Sequence, residues 1–459
     1  MENQLFSLND GRSIEWEIFQ KHPLGKLYSA IPFDLYASFI PYQRAKTGPS
    51  GWFDLRGGIA LQILKGYFNG ISDAKLIELL NHNSMMQMFC GIRIPLGQHI
   101  KDTGVVSRWR MLTGEFLKDE KILRSLQLAN VEAWKNELDV KINLADATCY
   151  ESHVRFPTDV KLLWDCVSYL HKQLKIICKY VGIKMPRSKY KEQKKKQLVF
   201  QRSRKKTYKK RQSRKRSLLY LQNKYLDELP RIMSAMMMKQ TQSLFKCPVA
   251  HNFFKRISTI KKVYKQQQLH FDHPDIKIKD RIVSLAKPYL RPIVRGKETK
   301  RVEFGIKVHE MQISGINFIE HWSFDAFHEG VRLKKTIWLH HFLFKKKLSA
   351  FGGDQLYSNN KNRSYCSKHN IQTCFAQKGR PSKNPILNDQ KKQLRKEIGK
   401  ERSTRLEGSF GNKKNHYSLV KIKARTQHSE LAWIFFSNLA ANAMIVVKKR
   451  ENLAKQQAA

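Results

Sequence analysis

Residues 139–150 read DVKINLADATCY. Val140, Ile142, Leu144 and Asp146 alternate, so they share one face of a β-strand. An acid therefore ends a row of apolar side chains. A lone Asp in such a place is more commonly a turn residue or a helix N-cap than a catalytic group, so the reading depends on whether the pattern recurs. It does. In SAFGGDQLYSNNKNRSYC (349–366), with Leu348 just before it, Leu348, Ala350, Gly352 and Asp354 fall on one strand face, and an acid again ends the row.

Between these two stretches, 301–330 reads RVEFGIKVHEMQISGINFIEHWSFDAFHEG. Val302, Phe304, Ile306 and Val308 alternate, and Ser314-Gly315 marks a hairpin turn. VRLKKTIWLHHFLFKKKL follows as a helix. IQTCFAQKG (371–379) reads as a further strand. Residues 388–412 read as a helix with Leu394, Ile398, Leu406 and Phe410 on its buried stripe, and this helix carries Glu407. The order is strand with Asp, hairpin, helix, strand with Asp, strand, helix with Glu. The expected class is mixed α/β.

The 459 residues suggest two or three domains. Charge is extreme, with 86 Lys plus Arg against 38 Asp plus Glu and a formal net charge of +48. Self-repulsion on this scale calls for a polyanionic partner. Nucleic acid fits best, with an anionic membrane or a ribosome-associated structural role as rivals. The stretch 184–216 holds 17 Lys or Arg and one acid, Glu192. It lies between two helical patterns and reads as the basic tip of an antiparallel helical pair, with Lys195, Lys205 and Arg211 as phosphate contacts. The alternative for this run is a solvated surface. MSAMMM (233–238) reads as core.

The opening MENQLFSLND has neither the basic nor the apolar region of a signal peptide. LAWIFFSNLAANAMIVV (431–447) is short for a bilayer span and carries Ser437, Asn438 and Asn442, so it reads as a buried helix. Seven Cys without CxxC pairs fit a reducing compartment. Cys366, His369 and Cys374 match no common zinc spacing, and ordinary thiols with a surface His are the simpler reading.

Residues 50–118 read as helical. Leu55, Ile59, Ile63 and Tyr67 form one face, Ser72 is placed to cap SDAKLIELL, and Thr103 to cap a helix with Val105, Trp109, Leu112 and Phe116 on its stripe. Arg108 and Arg110 flank that stripe. The pattern is compatible with a helix-turn-helix-like DNA module, and equally with a helical bundle that touches no DNA.

The element order is similar to the ribonuclease H-like nucleotidyl-transferase fold, in which two carboxylates lie on adjacent strands and a third on a helix crossing near them. Phosphodiester cleavage needs a nucleophile beside an anionic phosphate, and two Mg²⁺ ions about 3.5–4 Å apart activate the attacking oxygen and stabilise the leaving one. Mg²⁺ takes hard oxygen ligands, so three carboxylates suffice with water and substrate. Gly352 and Gly353 would let backbone and DNA approach closely.

More specifically, the chain resembles DDE-type bacterial insertion-sequence transposases. The stretches that carry the resemblance are LADATCYES, KPYLRPIVRGKETKRVEFGIKVHEM, FGGDQLYSNNKNRSYC, GRPSK and RLEGSFGNKKNHYSL. LRGGIALQILKGYFNGISDAKLIELL is similar to the amino-terminal helical domain of such enzymes. The resemblance implies a ribonuclease H-like catalytic core over 136–450, interrupted by a basic helical insertion at 155–295 and preceded by an all-helical DNA-binding domain over 1–135. It implies that Asp146, Asp354 and Glu407 bind Mg²⁺, with Mn²⁺ as a substitute. Lys414, seven residues beyond Glu407 and on its face, would hold a terminal phosphate, with Lys413 and His416 as secondary candidates. Many relatives carry Tyr-x2-Arg-x3-Glu-x6-Lys. Here Ser403 stands at the Arg position and Lys400 at the Tyr position, leaving Arg402 or Arg405 to substitute.

The implied activity is binding of the terminal inverted repeats of the element, DNA cleavage and joining of the ends to target DNA. A homodimer on double-stranded DNA and a cytoplasmic, nucleoid-associated location in a bacterium go with it. The alternatives are a nuclease of the same fold without strand transfer and a decayed relative acting as a repressor. Asp325 and Glu329, four residues apart, stand second to the triad as a site.

Overall fold

The structure, a computed structural model, describes residues 14–43, 51–242, 247–294, 302–380 and 383–458. The opening MENQLFSLND, residues 295–301 of the KPYLRPIVRGKETKRVEF stretch, and Pro381 and Ser382 of GRPSK lie outside the described residues. The chain divides into two compact units, one formed by Met1–His153 with Gly305–Ala459 and the other by Val154–Phe304.

The first unit is mixed α/β. Its strands are β1 (Ile142–Ser152), most of β3 (Val302–Ile313), β4 (Ile316–Ser323), β5 (Ala350–Gly352), β6 (Gln372–Thr373) and β7 (Lys421–Ile422); β2 (Pro292–Val294) belongs to the other unit. The strand order is β4-β3-β1-β5-β6. β3 and β4 form the expected hairpin, turning through Ser314 and Gly315, both at positive φ. β3 runs antiparallel to β1, whereas β5 is parallel to β1 and β6 parallel to β5. β7 lies parallel to the end of β1.

The amino-terminal helices belong to this same unit. Leu55–Tyr67 is buried almost all round, and Ser72 caps Asp73–His82 by accepting from Lys75 N. Both Leu55–Tyr67 and Gly104–Phe116 pack on the last helix, Gln427–Ala458. That helix is long and apolar enough to cross a membrane, but 89% of its most apolar window is buried inside the fold. Its polar residues are satisfied there. Asn442 bonds both N and O of Asn317 at the start of β4, and Asn438 bonds the same carbonyl at 3.3 Å.

Gly104–Phe116 differs from the sequence reading in rotation. Its buried side is Val106, Trp109, Arg110, Thr113 and Gly114, not Val105, Trp109, Leu112 and Phe116. Two contacts turn it. Gly114 lies so close to the last helix that a Cβ would meet the His428 carbonyl at 1.9 Å. Arg110 faces inward to Asp73 at 2.7 Å and Gln62 at 3.1 Å. Asp102, not Thr103, supplies the N-terminal bond, accepting from Gly104 N.

The second unit is a helical assembly of Asp159–Val181, Tyr190–Arg202, Tyr208–Gln242 and Phe253–Asp272 around Leu163, Cys166, Leu170, Leu218, Tyr225 and Ile260. Its strand β2 pairs with the first residues of β3, Pro292 opposite Phe304. The basic run is not all loop, because Tyr190–Arg202 is a helix. Two of its cations point inward. Arg214 bonds Gln197 and the Gln193 carbonyl, and Lys215 pairs with Asp159 at 3.3 Å. Of the methionines at 233–238, Met236 is buried while Met237 and Met238 are exposed.

Candidate active site

The β1–β5 pairing aligns Ile142 with Ala350 and Leu144 with Gly352. Two residues further on, the same register brings Asp146 and Asp354 side by side. The two acids are held differently. Asp146 is not at a strand end, since β1 continues to Ser152. Asp354 follows a strand of three residues and caps the turn Gln355–Tyr357. Each commits one oxygen to backbone: Asp146 Oδ1 accepts from Ala147 N at 2.7 Å, and Asp354 Oδ1 from Leu356 N at 2.9 Å.

Glu329 is the third acid here. It opens the short turn Glu329–Arg332. Carboxylate oxygens of Asp146, Glu329 and Asp354 all lie within 4.8 Å of one another, and no other group of three His, Cys, Asp or Glu converges so among the described residues. Glu329 Oε1 takes Lys307 Nζ at 3.3 Å, while its Oε2 is buried without a hydrogen-bond partner among the described residues. Asp325 is exposed and stays out of the cluster, because the backbone between it and Glu329 is not helical. Cys366, His369 and Cys374 form no such group, and the Cys374 thiol donates to the Gly353 carbonyl.

Burial, with crowding added to it, raises the proton affinity of two of these acids. Burial pushes the Asp146 carboxyl up to about 7; Glu329 and Asp354 add to this, and the Ala147 N–H and Arg402 oppose it. Burial, then Glu329, also raises Asp354. Hard oxygen donors, mutual repulsion and an orphaned buried oxygen suit a divalent cation of the Mg²⁺ or Mn²⁺ type.

Glu407 reaches this group through another side chain. The helix Pro385–Glu401 runs into a π-turn, Arg402–Leu406, and then into Glu407–His416. The Glu407 N–H donates to the Arg402 carbonyl five residues back. In a straight α-helix residues five apart sit about 140° around the axis; the wider π-turn stacks them. Arg402 thus forks between Asp146 Oδ2, at 2.9 Å from Nη1, and Glu407 Oε1, at 3.2 Å from Nη2. The Glu407 side chain is 52% exposed. The extra residue in this turn lets an arginine five before the glutamate share its face, where the signature of the transposases it resembles places one four before. The same unwinding keeps Ile398, Leu406 and Phe410 on one side, against Leu144 and Ala350, with Leu394 at the margin. Gly352 serves this packing: a Cβ there would stand 2.6 Å from Leu144 and 2.8 Å from Ile398.

Behind the acids lies a buried polar chain that sequence reading missed. Tyr357 OH meets His309 Nε2, His309 Nδ1 lies 2.9 Å from Glu320, and Glu320 pairs with Arg332. Tyr357 sits in the turn that Asp354 caps, and Arg332 in the turn that Glu329 opens. The chain ties both turns to β3 and β4. Sequence gives it little signal, because His309 and Glu320 stand among other polar residues of β3 and β4, such as Lys307, Glu310, Gln312 and His321.

The expected DNA contacts separate into two groups. Arg405 is exposed and pairs with Glu401 at 2.8 Å; His416 is exposed, and Lys414 is half-buried with Nζ 5.9 Å from the Tyr150 ring. Arg108 is exposed and pairs with Asp102. In the second unit Lys195, Lys205 and Arg211 are exposed. Lys413 and Arg110, by contrast, are interior. Lys413 bonds Glu310 and Asn438, and Arg110 lies over the Trp433 ring at 4.9 Å besides its bonds to Asp73 and Gln62. Each is held by a buried acceptor that would otherwise be orphaned, which withdraws both from any DNA surface.

No curated protein and no solved structure matches the chain. Residues 352–443 match the family model of the transposase DDE domain, a span holding Asp354, Arg402 and Glu407, and the match supports a DDE-type transposase.

Proposed function

We propose that this chain binds the terminal inverted repeats of its own element, cleaves DNA phosphodiester bonds there and joins the ends to target DNA. The observation that carries the reading is the convergence of Asp146 and Asp354, from adjacent parallel strands, with Glu329, and the link of Glu407 to Asp146 through Arg402. The strand order β4-β3-β1-β5-β6, with a helix carrying Glu407 against β1 and β5, supports a ribonuclease H-like core. Asp146, Glu329 and Asp354 would hold Mg²⁺ or Mn²⁺, with Glu407 completing the set. Divalent cations there would supply activation of the attacking oxygen and charge neutralisation at the leaving one.

The protein's own residues do the rest. The Tyr357–His309–Glu320–Arg332 chain fixes the two acid-bearing turns. Lys414, on the Glu407 face of its helix, would set positive charge beside it for the scissile strand, with His416 and Arg405 as secondary phosphate contacts. Lys195, Lys205 and Arg211 grip phosphate without regard to sequence, and Arg108 is the base-reading candidate in the amino-terminal helices. Pairing two ends calls for a homodimer on DNA, in the cytoplasm with the nucleoid.

The test is incubation of full-length protein with linear DNA bearing the element ends, with Mg²⁺ or with EDTA. Nicks at the ends and joined products are expected with Mg²⁺, and none with Asp146→Asn or Asp354→Asn. Cleavage without joined products would make the chain a nuclease. End binding without cleavage would make it a repressor.

A further inference from the structure

Arg402 sets a positive charge between two of the acids. Asp146 Oδ1 is committed to the Ala147 N–H, so Oδ2 is the oxygen left for a ligand, and Arg402 Nη1 sits on it at 2.9 Å. The other arm of the same guanidinium holds Glu407 at 3.2 Å. A planar fork spans two carboxylates at once, which a point charge on a flexible stem cannot do. Arg402 is brought there by the π-turn, a local unwinding that costs helix geometry and recurs at functional positions.

We propose that Arg402 is a positioning residue that occupies, in the metal-free chain, the place a divalent cation takes between Asp146 and Glu407. Guanidinium and divalent cation exclude one another. Entry of a cation would require Arg402 to leave Asp146 Oδ2 and would free Glu407 from its arginine partner. Glu407 is placed for that exchange, since its side chain is half exposed whereas those of Asp146 and Glu329 are 16% and 12% exposed. In the absence of metal the arginine offsets part of the repulsion among the acids and keeps Glu407 docked beside the cluster. The displaced guanidinium, still within reach of the site, is then available to a phosphate. This inference rests on the metal-binding reading above.

The experiment measures Mn²⁺ affinity by electron paramagnetic resonance on full-length protein without DNA, so activity plays no part. Arg402→Gln should bind Mn²⁺ about tenfold more tightly than the parent chain. Arg402→Lys keeps the charge but loses the fork and should gain less. Asp354→Asn should abolish binding in both the parent and the Arg402→Gln backgrounds, which locates the ion at this site. Far-ultraviolet circular dichroism confirms that each variant is folded, and Arg402→Lys carries the test if Arg402→Gln is not. A merely structural arginine would leave the affinity unchanged or lower it when replaced, and that result overturns the inference. Mn²⁺ binding by the parent with no gain on replacing Arg402 removes this inference alone. No Mn²⁺ binding by any form removes the metal reading with it, and binding that survives Asp354→Asn places the ion elsewhere and overturns the inference.

Discussion

Lys413 and Glu310 form an ion pair with neither side chain in contact with solvent, at 1% and 0% exposure. Tyr150 OH donates to the other Glu310 oxygen at 2.9 Å. The next residue, Lys414, is half-buried against the Tyr150 ring. Two adjacent lysines therefore have different work. Lys413→Ala should destabilise the chain by about 3–5 kcal/mol, because it leaves a buried carboxylate unpaired. Lys414→Ala should leave stability within about 0.5 kcal/mol and weaken DNA binding. Urea denaturation and a binding titration on each variant check this.

Removing Glu329 should stabilise the metal-free chain. Three carboxylates within 4.8 Å repel one another, and Glu329 Oε2 has no hydrogen-bond partner among the described residues. Glu329→Gln should raise stability in EDTA by about 1 kcal/mol, a trade of function against stability. The parent chain should melt higher in Mg²⁺ than in EDTA, and Glu329→Gln should lose that rise. A lower melting temperature in EDTA would show that Glu329 is held by its Lys307 contact rather than strained by its neighbours.

Glu320 predicts an acid limb in stability. Burial alone would raise its carboxyl, but the bonds and charges of His309 and Arg332 bring it down from 4.5 to about 2. A depressed folded-state value means that the unfolded chain takes up the proton first. The contribution is complete above about 4.5 and is lost as pH falls from there through about 2. A shift of this size is worth about 3 kcal/mol. Denaturant midpoints measured from pH 7 down to pH 3 should fall more steeply for the parent than for Glu320→Gln.

The basic run should act without sequence preference. Replacing Lys194, Lys195, Lys196, Arg204, Lys205 and Lys206 with Gln should weaken binding to element ends and random DNA alike. It should reduce the salt slope by about 0.9 for each phosphate that is no longer neutralised. Arg214 and Lys215 are excluded from the set, since both are buried structural cations. A weakening confined to element ends would make this run a reader of sequence.

Arg108 and Arg110 should part company in the same way. Arg108→Ala should cost about 1–3 kcal/mol of discrimination between element ends and random DNA, if it reads a guanine edge. Arg110→Ala should instead cost about 3 kcal/mol of folding stability, since Asp73 loses a buried partner. Footprinting must use the full chain, because Gly104–Phe116 packs on Gln427–Ala458 and a fragment would lack that support.

These pairs show where sequence reading succeeded and where physics hid the answer. Alternation of apolar residues found β1 and the β3–β4 hairpin, although both faces of these strands are buried for most of their length. It overextended β5, whose three residues are too few to show a period. It rotates the helix around Trp109 because it treats Arg110 as surface, when the half-buried Asp73 and the buried Gln62 make an interior arginine tolerable. Lys413 was misassigned for the same reason, as its partner Glu310 lies 103 residues away. Asp146 and Asp354 stood out as acids after apolar rows. Glu329 ranks only second from sequence, alongside Asp325, since it sits in a turn with no periodic neighbours. Arg402 was one of two substitutes for a missing arginine, and only the π-turn chooses between them.

The last helix has a consequence for how the protein is made. Leu55–Tyr67 and Gly104–Phe116 leave the ribosome early, yet the surface that covers them, Gln427–Ala458, emerges only after β1 to β7. β1 likewise waits for β3 and β5, which follow the whole Val154–Phe304 unit. Pairings so distant in sequence fold slowly. A chain interrupted by a nonsense codon or frameshift before residue 427 would expose an apolar helix with nothing to bury it. Such a product would present that exposed apolar surface to proteases and to aggregation.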